Sequence, residues 1–140
     1  MGQRTQVNLD VGRAAERLSI AYERERTGQE PIWQAIETNV AGFDVLSIID
    51  ASTRLKLKIE VKGSRMNKNE ASFFVTRNEW NTAIKSTAFQ FHLWLVRENA
   101  KLFVVAVPEM ERHIPSDSGA GRWETAQLFF RDFGAFEIAT

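Results

Sequence analysis

The chain has 140 residues, 44% hydrophobic and 26% charged, which is the profile of one globular domain with a substantial core and excludes a disordered segment. Its 18 basic and 18 acidic residues cancel, so no overall field draws it to nucleic acid. Without cysteine it can build no disulfide framework, thiolate metal site or cysteine nucleophile. The opening MGQRTQVNLD lacks the apolar core of a signal peptide and no run reaches membrane-spanning length, so a cytoplasmic protein is expected.

The first element is DVGRAAERLSIAYERERTG, residues 10–28, where Val11, Ala14, Ala15, Leu18 and Tyr22 recur at helical spacing. Asp10 is placed to cap its start, and Gly28 with Pro31 marks its stop. Glu16 stands beside the apolar stripe, where it can look along the edge of a core or into water. PIWQAIE (31–37) is expected as a short strand, and GFDVLSII (42–49) as a better one opening at a glycine. DASTR has turn composition and leads into RLKLKIEVKG, in which Leu55, Leu57, Ile59 and Val61 alternate with Lys56, Lys58, Glu60 and Lys62. Residues 43–62 therefore read as a β-hairpin with one apolar and one polar face.

GSRMNKNEAS (63–72) is expected as a mobile loop. ASFFVT (71–76) is a short strand running into the helix TRNEWNTAIKS, where Thr76 and Glu79 have capping-box spacing and Val75 and Trp80 form a staple. FQFHLWLVRE and KLFVVAVP follow as two strong strands, the second nearly continuous in apolar residues, as in a strand covered on both faces. Beyond Glu109, SDSGAG is a loop, while WETAQLFF and FGAFEI offer an added strand or a packing arm. Helix, three strands, a short strand, helix and two strands make a mixed α/β arrangement, with a central sheet whose faces the helices cover.

A hairpin turning near 51–53 sets Asp44 and Glu60 about equally far from the bend, with Lys62 on the same face as Glu60. Two converging carboxylates would suit Mg²⁺ or Mn²⁺, and an adjacent lysine could orient water or stabilise charge on a phosphate. From Arg54 to Lys68 six basic residues meet one acidic residue, Glu60, a local footprint for a polyanion. Against this, Glu and Lys on a strand face are most often solvated ion pairs worth little. Glu79 and Asn78 are explained by the first turn of their helix and receive no other role. His92 reads as a packed or surface strand residue before a general base. Trp94, Trp123, Phe129 and Phe130 read as core or interface rings before base-stacking platforms.

GFD (42–44), IEVKG (59–63), VTRNEW (75–80) and FHLWLV (91–96) together resemble the domain at the C-terminus of the plant protein NO VEIN, over about residues 10–107. That family belongs to the PD-(D/E)XK nuclease superfamily, and related domains occur in bacterial restriction and defence proteins. The resemblance implies a restriction-endonuclease-like core (α-β-β-β-α-β) in a single domain spanning 1–140, with 108–140 as a C-terminal extension. It implies that Asp44 and Glu60 are metal ligands for Mg²⁺ or Mn²⁺, that the Val61 carbonyl adds a third oxygen, and that Lys62 is the catalytic lysine. Glu16 matches the helix carboxylate used as an outer metal or water ligand. The motif's namesake proline is absent, since Asp44 follows Gly42 and Phe43.

Lys58, Arg65 and Lys68 are the candidate phosphate contacts. The expected activity is metal-dependent hydrolysis of phosphodiester bonds in DNA, in a restriction or defence setting, with a homodimer as the arrangement that lets so small a domain cut both strands of a duplex. The alternative is a nucleic-acid-binding module that keeps the fold without useful cleavage and works with a partner protein. A protein-interaction domain whose lysines serve only solubility is the third possibility.

Overall fold

The computed structural model describes residues 6–34, 42–117 and 121–139, with side chains described from residue 9. Helix α1 runs Gln6–Thr27 and closes where the Gly28 amide donates to the Arg24 carbonyl at 2.9 Å. Nothing in Gln6–Leu9 breaks a helix, so α1 begins a turn earlier than expected and Asp10 lies exposed inside it instead of capping it. The strand expected over 31–37 shrinks to β1, Ile32–Trp33, and residues 35–37 fall outside the described residues.

The hairpin forms as expected. Strand β2 (Val45–Ile48) pairs antiparallel with β3 (Lys56–Ser64), with Val45 opposite Ile59 and Ile48 opposite Lys56. Extending that register one step sets Asp44 across from Glu60. Strand β4 (Ser72–Thr76) leads into helix α2 (Arg77–Lys85), and β5 (Phe89–Leu95) returns parallel to β3 before turning into β6 (Lys101–Ala106). The order β1-β2-β3-β5-β6 makes a five-stranded mixed sheet.

Strand β4 does not join that sheet. Both edges of β3 are taken by β2 and β5, so β4 pairs instead with β7 (Thr125–Phe129) in a second, two-stranded sheet. The helix α3 (Val107–Glu111) and a 3-10 helix (Phe130–Phe136) complete the chain. The tail thus supplies both a strand and core, because Phe130 and Phe133 are fully buried.

Two apolar layers follow from strand alternation. Leu57, Ile59 and Val61 face α1, packing with Ala15 and Ile20. Gly63 continues that face at the closest approach, where a Cβ would stand 2.8 Å from the Ala15 Cβ and 3.3 Å from Val11. On the opposite face Phe89, Phe91 and Leu93 pack with Trp80 and Ala83 of α2, the β4–β7 pair and the aromatic tail. Strand β6 is covered on both faces as its apolar run predicts, with Leu102 in the α1 layer and Phe103 and Val105 in the other.

Candidate active site and nucleic-acid surface

The even-numbered side chains of β3 lie on the α2 side, since Glu60 and Lys62 stand beside Phe91 and Leu93 in the parallel register. Their face is not solvated: Glu60 is 4% exposed, and Lys62 is covered by the first turn of α2. A plain surface ion pair is thereby excluded. Charges in such surroundings are tolerable only when they neutralise one another.

Asp44 reaches the same spot from the head of β2. Its turn is possible because Gly42 has φ +77°, and a Cβ there would stand 2.2 Å from the Thr82 hydroxyl oxygen of α2. The Asp44 amide donates to the Ile59 carbonyl at 2.9 Å, and its Oδ2 accepts the Val61 amide at 2.9 Å. Lys58 takes the Ala88 carbonyl and Val96 donates to the Ser64 carbonyl, so even residues of β3 spend their backbone groups on the β5 side. Val61, an odd residue, therefore turns its carbonyl toward the β2 side, beyond the point where β2 begins.

The Lys62 ammonium lies 3.1 Å from Glu60 Oε2 and 2.9 Å from Glu79 Oε1. Burial pushes the Glu60 carboxyl far above the usual carboxylate range, against the pull of Lys62, and Asp44 and Glu79 add to the rise. Burial also raises the Asp44 carboxyl, against the Val61 amide and Lys62. Burial disfavours the charged form of Lys62, but the carboxylates around it outweigh that and raise its pKa. Burial works on Glu79 as well, yet Lys62 and the hydrogen bonds prevail and hold it below the usual range. Three acids around one base leave the group short of positive charge, a deficit that a cation relieves.

Asp44, Glu60 and the Val61 carbonyl supply hard oxygens from two neighbouring strands. Such a set fits a cation that keeps several of its own waters, as Mg²⁺ does. No group of three or more His, Cys, Asp or Glu side chains able to hold a metal occurs among the described residues.

The structure does not bring Glu16 into this group's hydrogen bonds with Lys62. It sits on α1, across the sheet, where it accepts Trp33 Nε1 at 2.7 Å and Arg13 Nη1 at 3.3 Å. Glu79, set aside in the sequence because capping explains it, is in the group. The signal was its place in VTRNEW beside IEVKG, but spacing alone does not reveal that the cap lands on Lys62.

Lys58 lies with its ammonium 5.5 Å from the Phe43 ring centre and 3.3 Å from the Ser86 hydroxyl. Arg65 and Lys68 line a cleft of about 680 Å³ with Arg97 from the β5–β6 turn and Lys101 at the head of β6. Lys101 is paired with Glu137 at 3.3 Å, whereas Arg65, Lys68 and Arg97 form no ion pair among the described residues. In the loop expected to be mobile, Asn67 Oδ1 accepts the amides of Asn69 and Glu70, and Arg97 Nη1 donates to the Arg65 carbonyl at 2.9 Å. The rings considered for base stacking are engaged: Trp94 and Phe130 are buried, Arg77 lies over Trp123 and Arg131 over Phe129. No helix among the described residues is long and apolar enough to cross a membrane.

Helix, meander, helix and returning parallel strand around an Asp…Glu-x-Lys group define a nuclease-fold protein of the PD-(D/E)XK type. Residues 15–105 match the family described as Protein NO VEIN, C-terminal, and the chain belongs to that family. Its fold is similar to that of Hjc, a Holliday junction resolvase from the archaeal hyperthermophile Archaeoglobus fulgidus. That likeness has a TM-score of 0.56 and 14% identity, covering 89% of this chain and 88% of the other. No match is found among curated proteins.

Proposed function

We propose that this chain is a metal-dependent endonuclease that hydrolyses phosphodiester bonds of DNA in restriction or defence, in a cytoplasmic setting. The observation that carries this reading is the convergence of Asp44, Glu60 and Lys62 at one partly dried end of the β2–β3 hairpin. Asp44, Glu60 and the Val61 carbonyl would hold Mg²⁺ or Mn²⁺, and the ion would supply polarisation of the scissile phosphate and a lowered pKa for the attacking water. Lys62 orients that water or neutralises charge developing on the phosphate oxygens. Glu16 is the outer metal or water ligand.

Lys58, Arg65 and Lys68 hold the backbone of the substrate, joined by Arg97 across the cleft. The cleft also holds Glu98 and Glu137, but its four cations outnumber them, so it offers phosphate contacts and no ring for stacking. DNA as the polymer is supported by the fold shared with a Holliday junction resolvase. A homodimer supplies the second site that cutting both strands requires.

A second reading, a silent nucleic-acid-binding module working with a partner protein, is favoured by the engagement of Lys62 in ion pairs with both Glu60 and Glu79. Cleavage of supercoiled plasmid and of a four-way junction, with Mg²⁺ or Mn²⁺, separates the two. Wild type is expected to cut only with metal, and Asp44→Ala or Lys62→Ala to lose roughly 100-fold or more. DNA binding without metal-dependent cutting of either substrate would sink the enzyme reading.

A further inference from the structure

Glu79 holds its own helix start and strand β3 with one oxygen. As residue N3 of α2 it completes the capping box, its backbone amide donating to Thr76 Oγ1 at 3.1 Å and its Oε1 accepting the Thr76 amide at 3.0 Å. The same Oε1 accepts the Lys62 ammonium at 2.9 Å. A helix cap at a surface would leave its remaining lone pairs to water, but here the Glu79 side chain is only 17% exposed and Lys62 11%.

The lysine stem has four rotatable bonds and its head is a point charge, so one ion pair does not fix its direction. Paired with Glu60 alone, two residues back on the same strand, the ammonium could swing with that carboxylate. Glu79 lies on another element and gives it a second, independent anchor. That element is itself set against the other arm of the site, because Thr82 of α2 closes on Gly42 two residues before Asp44. One helix therefore meets both the turn that delivers Asp44 and the tip of Lys62.

We propose that Glu79 is a positioning residue which, through the first turn of α2, aims the Lys62 ammonium beside Glu60 at the place where the reacting phosphate lies. The role rests on the nuclease reading of the Asp44–Glu60–Lys62 group. It goes beyond capping, and substitution separates the two. Glutamine is an accepted N3 partner in a capping box, so Glu79→Gln retains the cap and loses only the charge that holds Lys62.

The test compares Glu79→Gln, Glu79→Ala and Thr76→Ala in urea unfolding, plasmid-cleavage kinetics, Mn²⁺ titration and the rate at which an amine-reactive reagent modifies Lys62. Glu79→Gln keeps the cap but breaks a largely buried ion pair, so it is expected to lower the midpoint by less than Glu79→Ala, to cut with kcat lowered about tenfold or more at unchanged KM and Mn²⁺ affinity, and to modify Lys62 several-fold faster. Glu79→Ala adds a further drop in midpoint to the same kinetic loss. Thr76→Ala lowers the midpoint and leaves the Lys62 modification rate unchanged. Wild-type cleavage or modification rates in Glu79→Gln would overturn the assignment, and so would a loss of Mn²⁺ affinity, which would make Glu79 a ligand instead. Because lysine modification is read without turnover, a wild type that does not cut refutes the nuclease reading alone.

Discussion

His92 shows how a residue's role is decided by what surrounds it. Its ring is fully buried on the α1 side of the sheet, with the Tyr22 ring edge-on at 5.7 Å. Trp94 Nε1 can only donate, so Ser19 Oγ accepts from it at 2.7 Å, and the same hydroxyl is hydrogen-bonded to His92 Nδ1 at 2.8 Å. Its Nε2 has no hydrogen-bond partner among the described residues and stands 4.0 Å from Glu23 Oε2. Glu23 is itself committed to Arg26 and to the Ser47 hydroxyl. Burial lowers the His92 pKa from 6.5 to about 4, the Glu23 carboxylate notwithstanding. A depressed folded pKa means that the unfolded chain takes up the proton first as pH falls. The stability this histidine contributes is therefore whole above pH 6.5 and is lost on the way down to about pH 4. Between pH 7 and pH 5 the loss is about 2 kcal/mol, and urea titrations should show that share of the pH dependence vanish in His92→Asn. An unchanged slope in the variant would mean that His92 is not buried neutral.

At the scale of elements, the join between α1 and β3 is set by Gly63. Its absent side chain is what lets β3 lie against Ala15 and Val11 of α1, both rigidly placed by helix geometry. Gly63→Ala is expected to cost about 1–3 kcal/mol in urea unfolding through overpacking. Gly12 in the same helix is the control, because a Cβ there meets nothing within 4 Å. Gly12→Ala should stabilise by roughly 0.5–1 kcal/mol from helix propensity alone. Equal effects at the two positions would show that close packing is not what Gly63 provides. Both hairpin strands, α2 with its cap and β5–β6 were legible in the sequence, because alternation, capping spacing and apolar runs are local signals. The pairing of β4 with β7 was not legible, since nothing local in SFFVT names a partner that lies some fifty residues on.

For the whole molecule, a net charge of zero leaves nucleic-acid affinity to local patches, and three cations that form no ion pair among the described residues share one cleft at the end of the sheet. Replacing Arg65, Lys68 and Arg97 by alanine should reduce the slope of log affinity against log salt by about 2–3 on duplex DNA, equally for unrelated sequences. Cleavage of a small aryl phosphodiester, which cannot reach the cleft, should be unaffected by the same changes. A slope unaltered in the triple variant would place the backbone elsewhere on the surface.

Periodicity and spacing by themselves determined the hairpin, its register and hence the opposition of Asp44 to Glu60, because a two-residue period leaves little freedom once a turn is placed. Composition determined that no thiol chemistry operates here. Whether the Glu60–Lys62 face is wet or dry was a tertiary matter. Alternating sequence is the same for a strand with a solvated face and for one whose polar residues lie under a helix. Only the packing of α2 onto that face put Glu79 against Lys62, left Glu16 with Trp33 across the sheet, and made of an alternating strand a buried charged group.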